Sequence, residues 1–228
     1  KGRRSIRQYQ EREVPWDLIQ KILDAGRLAP SAGNLQNWKF IVVLDDDKRE
    51  SLSDAALQQD WMKDAPVHIV VVAEPKSSEK YYGKRGKGLY ATQNCAAAIQ
   101  NMLLMAHNLE LGACWIGAFE PRMVGKVVDL PDDVEAHAII TLGFPAEKVE
   151  EPAKYPIENV CYFNSWRSKI RDAPAYMLDY SVVADREIKK TKKKLDEDFK
   201  KLSEKAKEVT AKIKERLKAG KKKKVKKK

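Results

Sequence analysis

The chain has 228 residues, of which 43% are apolar, and this length suits one domain with a substantial core. Its formal charge of +11 comes from the C-terminal end, since residues 186–228 hold 21 Lys and Arg against 7 Asp and Glu, whereas residues 1–185 are slightly acidic. Three separated cysteines argue against a disulfide framework or a zinc site and fit a reducing cytoplasm, and no apolar run approaches the roughly 18 residues of a membrane span.

Basic residues crowd the start of the chain, where Arg3, Arg4, Ser5 and Arg7 fall within five positions. Guanidinium groups pair bidentately with phosphate oxygens, and a helical turn would place Arg3 and Arg7 on one face. The cluster therefore predicts a phosphate clamp, with a solvated basic N-terminus as the alternative interpretation.

The first helix is predicted between two prolines. Pro15 occupies a plausible first helical position, and apolar side chains recur on one face from Trp16 to Leu23, which predicts a helix running to residue 29. Pro30 ends this helix, because its ring clashes with the carbonyl one turn back and it has no N–H to donate.

The loop after this helix, PSAGNLQNW at residues 30–38, is rich in small and amide side chains. Ser31, Asn34, Gln36 and Asn37 offer groups that both donate and accept hydrogen bonds. Gly33 permits close approach of the backbone, and Trp38 supplies a flat apolar face. Such a loop suits a planar heterocycle, with an Asx/Ser turn as the alternative. Together, the clamp and the loop predict one ligand with a phosphate at one end and a flat polar ring at the other, such as FMN.

Strands and short helices are predicted in the rest of the body. Apolar runs predict buried strands at residues 40–44, 67–73, 114–116 and 138–142, and helical patterns predict short helices at residues 48–57 and 121–128. The polar, basic residues 75–87 are predicted to form a mobile loop that overhangs a site.

The longest helix is predicted at residues 89–111, with Gly112 as its left-handed cap. It is apolar nearly all round and must therefore be buried on every side, either as a central helix or as one shared with a second subunit. His68, His107 and His137 are predicted to be core or surface side chains and not ligands, because no metal-binding or nucleophilic motif accompanies them.

Five stretches resemble, in the same order, the signatures of the FMN-dependent nitroreductase family, and the resemblance covers residues 3–167. They are RRSIR at 3–7, PSAGNLQNW at 30–38, ATQN at 91–94, LGACWIGAF at 111–119 and TLGFP at 141–145. The resemblance implies an α+β fold, a nitroreductase-like FMN-binding sandwich whose mixed, mostly antiparallel central sheet is flanked by helices. It also implies an intertwined homodimer with shared FMN sites, in which a C-terminal arm, placed here at residues 155–171, extends over the partner.

The activity that the resemblance implies is that of an FMN-dependent oxidoreductase. A hydride would move from NADH or NADPH through flavin N5 to a small-molecule electron acceptor such as a nitroaromatic or quinone, in ping-pong order. No protein side chain is expected to be catalytic, since flavin N5 carries the chemistry. A hypothesis from another class is a flavin-fold binding protein that its basic tail tethers to nucleic acid, with little turnover.

The site residues that the resemblance implies fall into three groups. Phosphate binding maps to Arg3, Arg4, Ser5, Arg7 and the late Arg167, although Ser165 stands where the family more often has Lys. Contact with the flavin across the dimer interface maps to Pro30, Ser31, Ala32, Asn34 and Gln36. The strand end whose backbone N–H faces flavin N5 maps to Gly117 and Ala118.

The last part of the chain has a different pattern, so three regions are predicted. Residues 1–184 form the FMN-binding domain, residues 185–219 a charged helix with heptad patterning, and residues 220–228 a disordered lysine tail. The helix would pair with the body, form a coiled coil between subunits, or stand alone in solvent. Residues 186–228 would make non-specific contact with nucleic acid or an anionic surface, or serve only to solubilise the protein.

Overall fold

The computed structural model describes residues 2–169, together with the separate helical residues Ile188, Thr191, Lys192, Leu195 and Phe199. The chain divides into two units, Lys1–Pro152 and Ala153–Lys228. Ile188, Leu195 and Phe199, which belong to the predicted heptad stripe, are helical and exposed. The rest of the predicted helix and the whole lysine tail lie outside the described residues.

Helices and strands alternate through the described part of the first unit. The helices are α1 (Trp16–Arg27), α2 (Asp46–Ala55), α3 (Pro75–Arg85), α4 (Ala91–Asn108) and α5 (Pro121–Val127), and the strands are β1 (Trp38–Val43), β2 (Val67–Ala73), β3 (Gly112–Ile116) and β4 (Glu135–Gly143). One π-helical turn, Gly86–Tyr90, joins α3 to α4. The second unit contributes the short helix α6 (Ile157–Val160).

The four strands form one sheet in the order β1-β2-β4-β3, and all three pairings are antiparallel. A parallel pairing is added outside these strands, where Ser5 forms an isolated bridge to Ala113 on β3. The predicted α+β class is therefore confirmed. The parallel component of the expected mixed sheet comes from the N-terminal segment.

The central strand β2 shows why its sequence is a continuous apolar run. All seven residues are buried, because helices cover both faces of the sheet. Ile69 and Val71 pack in the layer that contains residues of α1 and α4, whereas Val70 and Val72 pack in the layer that contains residues of α2 and α5. Burying one such side chain contributes about 1.5–3 kcal/mol, so these two layers hold the sheet in place.

The long helix α4 is not buried on every side within the single chain, which rules out the central-helix alternative and leaves a helix shared with a second subunit as the prediction. Ile99 and Met102 pack in the core, but Gln93, Gln100 and Leu104 are exposed on the outer side. Leu104 keeps 51% of its surface accessible, which leaves an apolar position for another surface to cover. Among the described residues, no helix has the length and apolarity needed to cross a bilayer.

Gly112 does not cap α4, which corrects a second prediction. The residue with left-handed backbone is Glu110, with φ 60°, and Gly112 is instead the first residue of β3. A Cβ at Gly112 would lie 2.8 Å from Ile6 Cγ2. Glycine is therefore needed here because the N-terminal segment lies directly against the strand.

Residues 75–87 are helical, so the prediction of a mobile loop is wrong. Helix α3 begins with Pro75 in its first turn and is fixed to the body by an ion pair of 2.8 Å between Lys76 and Asp133. Its polar composition is typical of a helix with one solvated face. A smaller expectation also fails, because Trp38 is 5% exposed and lies in the core, so its flat face is not presented at the loop.

His68 is fully buried in β2, where its ring is held as a neutral group. Its Nε2 lies 2.9 Å from the Met62 carbonyl oxygen, which can only accept, so Nε2 carries the proton. Burial lowers the pKa of His68 to about 4, and the positive charge of Arg49 acts in the same direction.

We expect His68 to make folding stability depend on pH. The pKa of His68 is lower in the folded chain than its value of about 6.5 in the unfolded chain, so the unfolded chain binds the additional proton between these values. The free energy of unfolding should therefore fall by about 3 kcal/mol from this residue as pH drops from 6.5 to 4. His68→Gln keeps a donor for Met62 but should lose this component in urea unfolding at pH 7, 5.5 and 4. His107→Gln, which removes an exposed histidine, is the control, and equal pH dependence in wild type and His68→Gln would contradict the prediction.

Candidate functional site

The basic N-terminal segment is extended and runs along the edge strand β3. The Ile6 N–H donates to the Ala113 carbonyl over 3.1 Å, and the Gln10 N–H donates to the Phe144 carbonyl over 2.9 Å. Tyr9 fixes the same segment from within the core, because its hydroxyl donates to the Ile6 carbonyl and contacts Thr141 Oγ1 at 2.8 Å. This long-range pairing holds the predicted clamp residues beside the sheet.

Arg3, Ser5 and Arg7 belong to the segment that pairs with β3 beside the buried residue Cys114, since Ser5 forms its bridge to the neighbouring Ala113. Burial raises the pKa of Cys114, while the charges of Arg7 and Arg3 and a hydrogen bond from Ser5 oppose the increase. In extended backbone, side chains two and four positions apart share a side. The predicted shared face of Arg3 and Arg7 thus arises from strand alternation, and the helical turn assumed for it is absent from the described segment.

Arg4 is directed elsewhere than its neighbours in the predicted clamp. Its Nη2 lies 3.6 Å from a carboxylate oxygen of Glu151, and its Nη1 donates to the Arg3 carbonyl over 2.9 Å. A cavity of about 480 Å³ opens beside the segment, and its walls include Arg3, Arg4, His107, Glu110, Glu147 and Lys148. Both Arg3 and Arg4 therefore line this cavity, and Arg4 is also paired with Glu151.

Glu147 is a positioning residue that no sequence pattern indicates. One carboxylate oxygen, Oε1, accepts from the backbone N–H of Arg7 over 2.6 Å and from that of Gln8 over 3.1 Å. The Arg7 guanidinium also lies 5.7 Å from the centre of the Trp61 ring, within reach of a cation–π contact. These contacts fix both the backbone and the side-chain direction of Arg7.

Gly117 and Ala118 follow β3 directly and are exposed. A Cβ built on Gly117 would meet nothing closer than Trp115 Nε1 at 3.8 Å, so the space beside this backbone is open. The Ala118 carbonyl accepts from Gln59 Nε2 over 3.2 Å, which orients the strand end. A flat ring could approach the main chain here with the Trp115 side chain as its neighbour.

The amide-rich loop forms a tight turn built on left-handed backbone. Gly33, Asn34 and Gln36 have φ values of 58°, 55° and 45°, and the Ser31 hydroxyl accepts from the Gln36 N–H over 3.0 Å. Asn34 and Gln36 are exposed, as is Pro30, whereas Ser31 and Ala32 are partly buried. The turn interpretation describes this segment. The ligand-loop interpretation stays a prediction, and it is compatible with a turn that presents the Asn34 and Gln36 side chains outward.

Two buried asparagines hold the loop, and only one of them lay in the predicted loop sequence. Asn94 Oδ1 accepts from the Ala32 N–H over 2.9 Å, and its Nδ2 donates to Asn37 Oδ1 over 2.7 Å. Asn37 is 2% exposed, and within the described part of the chain its Nδ2 has no hydrogen-bond partner. Asn94 stands in the ATQN stretch at 91–94, which the resemblance includes without giving this residue a role.

The loop lies against α3, which brings a third segment to the site. A Cβ on Gly33 would be 2.5 Å from the Tyr82 hydroxyl oxygen, so the loop and this tyrosine are in close contact. Tyr82 in turn packs edge-on against Tyr90 with ring centres 5.2 Å apart. The segment expected to overhang a site therefore does adjoin the loop, although it is helical.

Arg167 lies in the second unit, in a turn closed by a 2.8 Å hydrogen bond from the Phe163 N–H to the Ser168 carbonyl. It is exposed, with φ 63°, and its assignment to the phosphate site stays a prediction. Within the described residues, no group of His, Cys, Asp and Glu is arranged to hold a metal ion.

Comparison with known proteins identifies relatives over most of the first unit. The model of the Nitroreductase family matches residues 1–59 and 53–144. A protein of Methanothermobacter thermautotrophicus described as an NADH dehydrogenase/NAD(P)H nitroreductase is 43% identical over 151 residues, covering 64% of this chain and 75% of the relative. An NADH dehydrogenase of Thermus thermophilus is 29% identical over 185 residues, covering 69% of this chain and 90% of the relative.

Solved structures give the same result. The crystal structure of an FMN-dependent nitroreductase from Clostridium difficile superimposes with a TM-score of 0.61 and 29% identity, covering 72% of this chain and 96% of the other. The predicted resemblance is thus confirmed by sequence and by fold. The chain belongs to the nitroreductase family.

Proposed function

We propose that this protein is an FMN-dependent NAD(P)H oxidoreductase that reduces small acceptors such as nitroaromatics or quinones. The observation that carries the proposal is the pairing of the arginine segment with β3, where Ser5 forms a bridge to Ala113 and the Ile6 N–H donates to the Ala113 carbonyl, on the strand that ends at the open backbone of Gly117. Cys114 and Gly117 are separated by about 10 Å of extended chain. A phosphate site and a ring site thus lie along one strand, with room for a linker between them.

The donor set fits the phosphate of FMN. Arg3 and Arg7 supply guanidinium groups that can pair with phosphate oxygens, and Ser5 supplies a hydroxyl that can donate to them. Gly117 and Ala118 would bring main chain to the edge of the ring while leaving its face uncovered. When bound, FMN supplies hydride transfer at N5, with NADH or NADPH as the donor.

The open space beside Gly117 supports alternating use of one site in ping-pong order. The nicotinamide would occupy this space first and the acceptor second, because both must reach the same uncovered ring face. The chain's contribution is to orient the ring and to leave that face accessible, which the missing side chain of Gly117 permits.

We further propose a homodimer whose subunits share the flavin sites. The amide side chains of Asn34 and Gln36 are exposed. The loop that carries them is held by Asn94, whose Oδ1 accepts from the Ala32 N–H. Leu28, just before the loop, is 65% exposed, and Leu104 on α4 is 51% exposed. A second copy would cover these apolar side chains and receive the loop at its own flavin.

The visible absorption spectrum of the purified protein, followed through an anaerobic cycle, tests the proposed function. We expect the purified protein to show flavin absorbance that bleaches when one equivalent of NADH or NADPH is added. The colour should return when a quinone or nitroaromatic is then added. A protein that neither contains FMN nor takes it up would overturn the proposal. Flavin that is bound but stays oxidised with both donors would overturn the assigned activity while leaving the cofactor site intact.

A further inference from the structure

A concentration of positive charge lies on α3 and the π-helical turn that follows it. Residues 76–87 contain five basic side chains and one acidic one, although the body as a whole is slightly acidic. Lys76 is used in the ion pair with Asp133. Within residues 2–169, no carboxylate pairs with the exposed Lys80, Lys84, Arg85 or Lys87, so this charge is not neutralised by the described part of the body.

Aromatic rings alternate with these cations. The Lys80 ammonium lies 5.7 Å from the centre of the Tyr81 ring, and the Arg85 guanidinium lies 5.6 Å from that of Tyr90. Arg85 Nε also donates to the Tyr90 hydroxyl over 3.2 Å, and Tyr81 is 64% exposed. We call this surface the basic–aromatic face; it comprises Lys80, Tyr81, Lys84, Arg85, Lys87 and Tyr90.

The basic–aromatic face is adjacent to the amide-rich loop. Tyr82, which lies between Tyr81 and Lys84, contacts Gly33 of the loop and packs against Tyr90 of the face. A ligand that reaches the loop with one end can therefore meet exposed cations and rings with the other.

We propose that the basic–aromatic face binds the adenosine-phosphate end of the nicotinamide dinucleotide, an inference that rests on the proposed function. Phosphate groups complement the unneutralised Lys84, Arg85 and Lys87. A purine complements the exposed tyrosine rings, because stacking on an aromatic ring needs no particular hydrogen-bond pattern. The nicotinamide end then points toward the loop that serves the flavin.

Equilibrium binding of two nucleotides to the FMN-containing protein tests this directly. Isothermal titration with adenosine 5′-diphosphate and with adenosine 2′,5′-bisphosphate should show that Lys84→Ala/Arg85→Ala weakens binding at least tenfold. Lys21→Ala/Lys48→Ala is the matched control, since it removes two exposed cations that are ion-paired on α1 and α2 and should leave binding unchanged. A greater loss for the 2′,5′-bisphosphate would assign the face to the 2′-phosphate of NADPH, and an equal loss would assign it to the diphosphate common to both donors.

Donor kinetics give a second readout. Reduced nicotinamide mononucleotide lacks the adenosine end, so Lys84→Ala/Arg85→Ala should raise KM for NADH or NADPH but not for the mononucleotide. Wild-type protein that binds neither nucleotide, or a variant that binds both as tightly as wild type, would overturn the inference. So would an equal rise in KM for all donors. Failure of the proposed function is distinct, because the flavin would then stay oxidised with the mononucleotide as well.

Discussion

Replacing Arg3 and Arg7 together with alanine is expected to weaken FMN binding at least a hundredfold. Each guanidinium would form charge-assisted hydrogen bonds with the phosphate, and such bonds contribute about 1.5–3 kcal/mol each. Two of them correspond to about 3–6 kcal/mol, and a hundredfold loss requires only about 2.7 kcal/mol. Fluorescence titration of the flavin-free protein with FMN measures the change.

Two single variants sharpen this test. Arg12→Ala removes an arginine of the same segment whose guanidinium lies over the Phe144 ring, and it should retain FMN affinity. Arg4→Ala should have a smaller effect than Arg3→Ala or Arg7→Ala, because Arg4 faces Glu151. If Arg4→Ala abolished binding while Arg3→Ala/Arg7→Ala did not, the phosphate would have to lie in the cavity that Arg4 borders.

The same variant can show whether two subunits share each site. A clamp-deficient subunit, Arg3→Ala/Arg7→Ala, and a loop-deficient subunit, Asn34→Ala/Gln36→Ala, should each bind flavin poorly as homodimers. If the loop of one subunit serves the flavin of the other, a mixed dimer places both defects in one site and leaves the second site intact. Tandem-tagged mixed dimers should then hold close to half the flavin of wild type, whereas sites built within single subunits would leave none.

Elements whose apolar side chains face the core could be predicted from the sequence. The run from Val67 to Ala73 is apolar without alternation because both faces of β2 are covered, and its predicted bounds agree with the structure. Helix α1 was likewise predicted from one apolar face, of which Ile19 and Ile22 are buried. In both elements, the pattern of apolar residues in the sequence matches the pattern of buried residues in the fold.

Elements that depend on distant contacts could not be predicted. Arg3 and Arg7 are four residues apart, a spacing that fits one face of a helix and also one face of a strand, and only the bridge from Ser5 to Ala113 decides between them. Gly112 follows a helix, as a cap would, but its small size is required by Ile6, more than one hundred residues earlier.

The candidate site shows the same division. Its charged and amide residues could be found because they are clustered in sequence, and the resemblance of the motifs supplied their expected roles. Asn94 and Glu147, which hold the loop and the arginine segment, act over 62 and 140 residues of sequence separation. Side chains that support a site from such a distance leave little local signal in a single sequence.

In the segment from α3 to α4, one stretch of backbone packs closely on another, and this packing leads to the second large expected effect. Gly86→Ala should destabilise this segment by about 2–3 kcal/mol, because a Cβ at Gly86 would lie 2.1 Å from the Ser78 carbonyl oxygen and 2.8 Å from Tyr82 Cβ. Backbone must move to admit it. The intrinsic gain of about 1 kcal/mol from alanine in a helix is too small to compensate.

Gly88→Ala is the matched control, since it makes the same chemical change two residues later, where nothing lies within 4 Å of the added Cβ. We expect it to be neutral or slightly stabilising. Hydrogen exchange over residues 75–90, together with urea unfolding, distinguishes local opening from global loss of stability. A Gly86→Ala protein with the protection and stability of Gly88→Ala would contradict the close packing on Ser78. Because Lys84, Arg85 and Lys87 flank Gly86, Gly86→Ala should also weaken adenosine 2′,5′-bisphosphate binding, while Gly88→Ala preserves the backbone that presents those cations.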